Sequence, residues 1–147
     1  MEVGPARIEE VDALVAAYEW LFAPPGSRPW QWDADRASAA LREAIGADGA
    51  AVLVARDAGA VVGICTVYDD IDSVRFGRRA WVEDLAVHPE RRSMGAGKAL
   101  LDAAKDWARV RGATHLELDS ADAREAAHRF YERERPSWRS TSFGWEL

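Results

Sequence analysis

The chain has 147 residues, the size of one ordinary domain. Apolar residues make up 48 % and charged residues 30 %, with seven tryptophans, which excludes a disordered chain and leaves material for a real core. A net charge of −6 disfavours a nucleic-acid partner, no stretch has the length and apolarity of a membrane span, and the single cysteine, Cys65, excludes an internal disulfide and a cysteine-based zinc site.

Glu2, Glu9, Glu10 and Asp12 interrupt the layout of a secretion signal, so the cytoplasm is the expected compartment. Ile8, Val11, Leu14, Val15, Tyr18, Leu21 and Phe22 recur at helical spacing and predict one amphipathic helix from Ile8 to Phe22. Pro24-Pro25-Gly26 stops it, and the loop Ala23–Trp32 carries Trp30 and Trp32. Asp33 is a good N-cap for a second helix ending near Gly46. Ala50–Arg56 and Ala60–Tyr68 read as strands joined by the turn Asp57-Ala58-Gly59. A loop crowded by Asp69, Asp70 and Asp72 is expected next, then a strand Arg79–Val87 closed by Pro89.

Gly95-Ala96-Gly97 opens a helix in which Leu100, Ala103, Ala104, Trp107 and Val110 form one stripe, and Gly112 ends it. Thr114–Asp119 reads as a strand. Asp122–Glu134 reads as a helix with Ala123, Ala126, Ala127 and Phe130 inward, and Trp138–Leu147 as two short strands or strand fragments. Strand, long helix and strand in succession are most simply parallel neighbours with a right-handed crossover, whereas the first two strands form an antiparallel hairpin. The expected fold is a single α/β (α+β) domain over residues 1–147, a mixed sheet with helices on both faces.

The segment from Trp81 to Lys98 carries the chemistry. A strand runs through a short basic loop into Gly95-x-Gly97 and a helix, whose N-terminus offers unpaired N–H groups and the positive end of its dipole to phosphate. Arg91, Arg92 and Lys98 add cationic donors. A Walker A loop is excluded, because Arg92 holds its first glycine position and Ala99 follows Lys98. The dinucleotide fingerprint fails at Leu100, where a third glycine is needed. His88, His115 and His128 have no metal-like spacing, and no metal is expected.

Arg92-Ser-Met-Gly95-Ala-Gly97, preceded by Leu85-Ala-Val-His-Pro89 and followed by Phe130-Tyr131, resembles the signature of the GNAT superfamily of N-acetyltransferases. The resemblance implies a mostly antiparallel sheet whose one parallel unit forms the cofactor cleft, with acetyl-CoA as cosubstrate. It implies that the backbone of Arg92, Ser93, Met94, Gly95, Ala96, Gly97 and Lys98 holds the pyrophosphate. Leu85, Ala86 and Val87 would pair with the pantetheine arm, Leu85 N–H would stabilise the oxyanion, and Tyr131 would protonate the departing thiolate. Glu83, given the side-chain parity of Leu85 and Trp81, is the candidate base or else a structural ion pair. Asp84, of opposite parity, is the weaker candidate.

Trp30, Trp32, Trp81 and Glu83, with Asp69, Asp70 and Asp72, stand at elements that line the acceptor pocket in that family, and suit a cationic amine. Arg124 replaces a common Asn and is expected either to meet a phosphate or, in preference, to be solvated, and Cys65 to fill core space. The expected function is acetyl transfer to a primary amine of a small, cationic molecule in a ternary complex. Partners are then a small-molecule amine and no nucleic acid or membrane, and a homodimer is compatible with the resemblance. The alternatives are a protein N-terminal or lysyl acetyltransferase and a non-catalytic acyl-CoA sensor.

Overall fold

The computed structural model describes residues 1–147. Five strands form one sheet in the order of the chain: β1 (Glu2–Pro5), β2 (Ala50–Asp57), β3 (Ala60–Ser73), β4 (Gly77–Val87) and β5 (His115–Glu117). The first four are antiparallel neighbours, and β4 and β5 are parallel. The helices are α1 (Val11–Ala17), α2 (Glu19–Phe22), α3 (Ala34–Gly46), α4 (Ala96–Val110) and α5 (Glu125–Arg133).

Both faces of the sheet are covered. Val11, Leu14 and Ala17 of α1 and Leu41 and Ala44 of α3 pack on Val52, Val54, Ile64 and Ala86. On the other face Ala96, Leu100 and Ala104 of α4 pack on Leu53, Ala55, Cys65, Val67 and Val82. Cys65 is fully buried there, as a small core residue. Asp33 caps α3 by accepting from the Arg36 amide at 2.9 Å, and Ala58 and Gly59 supply the positive φ angles of the β2–β3 hairpin turn.

Several expectations from the sequence are corrected. The helix expected from Ile8 to Phe22 is a 3-10 turn, Ile8–Glu10, followed by α1 and α2 with a break at Tyr18. Strand β1 leaves no mark in the sequence, because four residues holding a Gly and a Pro carry no period. The acidic loop is instead the extension of β3, where arginines from the neighbouring β4 and from the end of α4 neutralise the carboxylates. Asp69 pairs with Arg111 at 2.9 Å, Asp70 with Arg79 at 2.6 Å and Asp72 with Arg78 at 3.3 Å.

In α4 the buried residues are Ala96, Leu100, Leu101, Ala104 and Ala108, while Val110 at the end of the stripe is exposed. Helix α5 is shorter than expected, with Ala123 and Ala126 exposed and Ala127 and Phe130 half-buried. Trp138–Leu147 forms no strand. Phe143, Trp145 and Leu147 stay exposed, and nothing pairs with the outer edge of β5.

Candidate active site

Strands β4 and β5 pair at Arg79–His115, Ala80–Leu116 and Trp81–Glu117, and then part. The gap between them is a cavity of about 160 Å³, lined by Val82, Glu83, Asp84 and Leu85, by Leu118, Asp119, Ser120 and Ala121, and by Leu21, Arg124, Ala127 and Tyr131. Residues far apart in sequence are brought to one place by the end of a parallel pairing.

The backbone of β4 presents donors to that gap. The amide of His88 donates to the Val62 carbonyl of β3 at 2.9 Å, and the amide of Asp84 to the Thr66 hydroxyl at 3.0 Å. Strand amides alternate in direction, so those of Leu85 and Val87 point away from β3, where β5 no longer pairs.

A bulge resets the side chains. Thr66 opposes Asp84 and Val67 opposes Val82, which leaves Glu83 without a partner. Asp84 therefore shares the α1 face with Trp81, while Val82 and Leu85 share the α4 face. The parity that grouped Glu83 with Leu85 does not survive this extra residue. Exposed Glu83 instead accepts the Trp81 indole N–H at 2.7 Å.

Asp84 emerges as the better-placed carboxylate. Its Oδ2 accepts the Tyr18 hydroxyl at 2.7 Å and lies 3.4 Å from the Thr66 hydroxyl, while Oδ1 has no protein partner and is not sealed from solvent. Burial pushes its carboxyl above the usual aspartate range, and Glu83 adds to the rise against the pull of the two hydroxyls. Tyr18 is raised well above an ordinary phenol by burial and by Asp84, so it remains a donor.

Tyr131 lines the cavity, half-buried, its phenol pushed up to about 12 by burial, with the Arg124 charge pulling the other way. Cys65 lies close enough to influence that phenol, and burial raises its own thiol to about 12. Tyr131 also lines a second cavity of about 570 Å³ between α4, β5, α5 and the C-terminal segment. The C-terminal segment walls this cavity without forming a strand.

The turn before α4 has the geometry of an anion cradle. Ser93 and Gly95 hold left-handed φ angles of 62° and 91°, which turn successive amides toward one side. The amides of Arg92, Ser93, Met94, Gly95, Ala96, Gly97 and Lys98 donate to no protein acceptor, and the first bonded one is Ala99, at 3.0 Å from the Gly95 carbonyl. A Cβ on Gly97 would meet Phe130 and Val87 at 3.5–3.7 Å, ordinary contact, so protein packing does not require that glycine. The side chains contribute less than expected. Arg91 is paired with Asp57 at 3.0 Å, and Lys98 with Asp102 at 2.8 Å and Glu134 at 3.5 Å, leaving Arg92 without a carboxylate.

The acceptor-side expectations fare unevenly. Trp30 is 79 % exposed and touches neither cavity. Trp32 packs on Tyr18 and Phe22, with ring centres 5.4 and 4.8 Å away, and fixes the loop rather than lining the cavity. Trp81 stands beside the site, but the Arg79 guanidinium lies 5.6 Å from its ring. Arg124 is half-buried and hydrogen-bonded to the Leu21 carbonyl at 3.0 Å, not solvated. Tyr18 escaped the sequence reading because it looked like one more apolar-face aromatic.

Comparison with known proteins decides what this arrangement belongs to. The family model described as Acetyltransferase (GNAT) family matches residues 14–135. The chain belongs to the GNAT family of acetyltransferases. It is 34 % identical over 100 residues to the uncharacterized N-acetyltransferase YhfO of Bacillus subtilis (strain 168), covering 68 % of this chain and 67 % of that one. It is 46 % identical over 59 residues to the uncharacterized N-acetyltransferase YhdJ of the same organism, covering 40 % of this chain and 42 % of that protein's length.

The crystal structure of aminoglycoside N-acetyltransferase AAC(6')-Iy in complex with CoA superposes with a TM-score of 0.84 at 16 % identity, over 99 % of this chain and 93 % of that one. That likeness shows the fold. As a GNAT member the chain is an acyltransferase of the N-acetyltransferase type with acetyl-CoA as cosubstrate. The cradle fits it: seven unengaged amides face one turn, and a strand edge with free donors continues from it. No helix is long and apolar enough to cross a membrane, and no group of His, Cys, Asp and Glu could hold a metal ion.

Proposed function

We propose that the chain transfers an acetyl group to a primary amine of a small, cationic molecule in a ternary complex. The observation that carries this reading is the splay of β4 from β5, which sets Leu85 N–H, Asp84 and Tyr131 around one cavity beside the amide cradle. The amides of Arg92 to Lys98 hold the diphosphate, and the β4 edge from Leu85 to Val87 holds the arm that follows. Acetyl-CoA supplies an activated acyl group there.

The chain's own groups manage charge and protons. Glu83, exposed at the bulge and tied to Trp81, meets the incoming ammonium. An alkylammonium has a pKa of about 10 and must lose a proton before its nitrogen can attack. Asp84 takes that proton on its free Oδ1, its raised pKa making it a stronger base than an ordinary aspartate, and passes it to solvent. Leu85 N–H stabilises the developing oxyanion, a donor worth about 10²–10³ in rate. Tyr131 gives its hydroxyl proton to the leaving sulfur and regains one from the newly bonded nitrogen. A phenol at about 12 is a weak acid toward a free thiol, so its proton moves as negative charge develops on the departing sulfur rather than before it.

The test is thiol release from acetyl-CoA over a panel of polyamines, aminoglycosides, simple alkylamines and lysine-containing peptides, with mass spectrometry of the product. Release with small cationic amines is expected. Release only with peptides makes the chain a protein acetyltransferase, and CoA binding with no release on any amine makes it a sensor.

A further inference from the structure

Two segments a hundred residues apart meet at the wall of the 160 Å³ cavity. Nη2 of Arg124, at the N-cap of α5, donates at 3.0 Å to the carbonyl of Leu21 in α2, and both residues line the cavity with Asp84, Leu85 and Tyr131. The turn behind Leu21 is shaped around this bridge. A Cβ on Gly26 would lie 1.9 Å from the Leu21 carbonyl oxygen and 2.7 Å from Arg124 Nη2, so only glycine closes the turn.

Arg124 is half-buried and has no carboxylate within ion-pair distance, although 15 ion pairs are distributed over the molecule. A partly desolvated guanidinium is costly, and one neutral carbonyl compensates it poorly. The charge faces the cavity, where it favours the anionic form of Tyr131.

We propose that Arg124, bridged to the Leu21 carbonyl, closes the acyl cavity and limits the transferred group to acetyl. This rests on the reading of that cavity as the place of transfer. On this reading Leu21 and the guanidinium bound the side of the cavity into which an acyl chain longer than two carbons would extend. A bridge of one hydrogen bond is enough, because each added methylene refused by a pocket is worth roughly 10-fold or more in discrimination.

Calorimetry with CoA, acetyl-CoA and butyryl-CoA tests it, on the native chain and on Arg124→Ala and Gly26→Ala. The native chain is expected to bind butyryl-CoA at least about tenfold more weakly than acetyl-CoA. In Arg124→Ala, which removes the wall, and in Gly26→Ala, which displaces it and keeps the charge, the difference should shrink to within a few-fold while CoA itself binds as before. If Gly26→Ala does not fold, Arg124→Ala carries the test alone. A ring-NMR titration of Tyr131 in the ligand-free protein should show its pKa rising in Arg124→Ala. Equal binding of the two acyl forms by the native chain, or discrimination unchanged in Arg124→Ala, overturns the assignment and leaves acetyl transfer standing. No binding of CoA by the native chain overturns both.

Discussion

The Tyr18 hydroxyl donates a 2.7 Å hydrogen bond to Oδ2 of Asp84, joining the break between α1 and α2 to the strand that borders the cavity. The bond orients the carboxylate so that its other oxygen faces outward. It also holds the Asp84 pKa below the value that burial alone would set.

Asp84→Asn should therefore lower kcat/KM near neutral pH by about 10²–10⁴, with activity recovering at alkaline pH as the free amine accumulates. In the native chain the acid limb should lie above the usual aspartate range, because the carboxyl is raised. Tyr18→Phe removes a bond to the charged form, so the limb should move to higher pH. A pH profile with an unmoved limb would show the bond to be only structural.

Tyr131→Phe should reduce kcat by about 10²–10³ and leave acetyl-CoA affinity within about twofold, since in the proposed reaction the hydroxyl only relays a proton from the newly bonded nitrogen to the departing sulfur. The native phenol, at about 12, stays protonated through the range in which the enzyme can be assayed. Turnover should consequently show no alkaline fall attributable to it below about pH 11. Steady-state kinetics of the variant, beside calorimetry with acetyl-CoA, checks both expectations.

Acid stability depends on another pair. Glu10, almost buried, takes Arg56 in two hydrogen bonds of 2.6 and 2.7 Å, and its carboxyl is held down to about 2, chiefly by those bonds. A pKa lowered on folding contributes stability that is fully present above the unfolded value of about 4.5 and is lost as pH falls toward 2. The amount is roughly 3 kcal/mol. Glu10→Gln should cost a similar amount at neutral pH by leaving Arg56 buried without its partner, and should flatten the acid denaturation curve between pH 4.5 and 2. Urea unfolding at pH 7 and pH 3 measures both.

Much of this was legible in the residues. The α3 cap at Asp33, the β2–β3 turn at Ala58-Gly59 and the turn with unengaged amides before α4 are local, and local chemistry writes itself into short spacings. What escaped was decided elsewhere in the chain. Asp69, Asp70 and Asp72 looked like a free acidic loop because their arginines, Arg111, Arg79 and Arg78, lie outside that run. The parity of β4 failed because a bulge at Glu83 depends on the register of β3, which no single strand reveals. Arg124 read as solvated because its acceptor is a backbone carbonyl 103 residues away. The C-terminal aromatics alternate like a strand, yet no neighbouring strand satisfies them.

Amide NMR of the labelled chain titrated with CoA reports on the cradle residue by residue. The largest shifts are expected at Arg92 to Lys98 and at Leu85 and Val87, and Gly97→Glu, which places a carboxylate at the proposed diphosphate site, should abolish them all. Unchanged amides at those positions in millimolar CoA, or shifts confined to another face of the molecule, would contradict the placement of the cosubstrate and the reaction built on it.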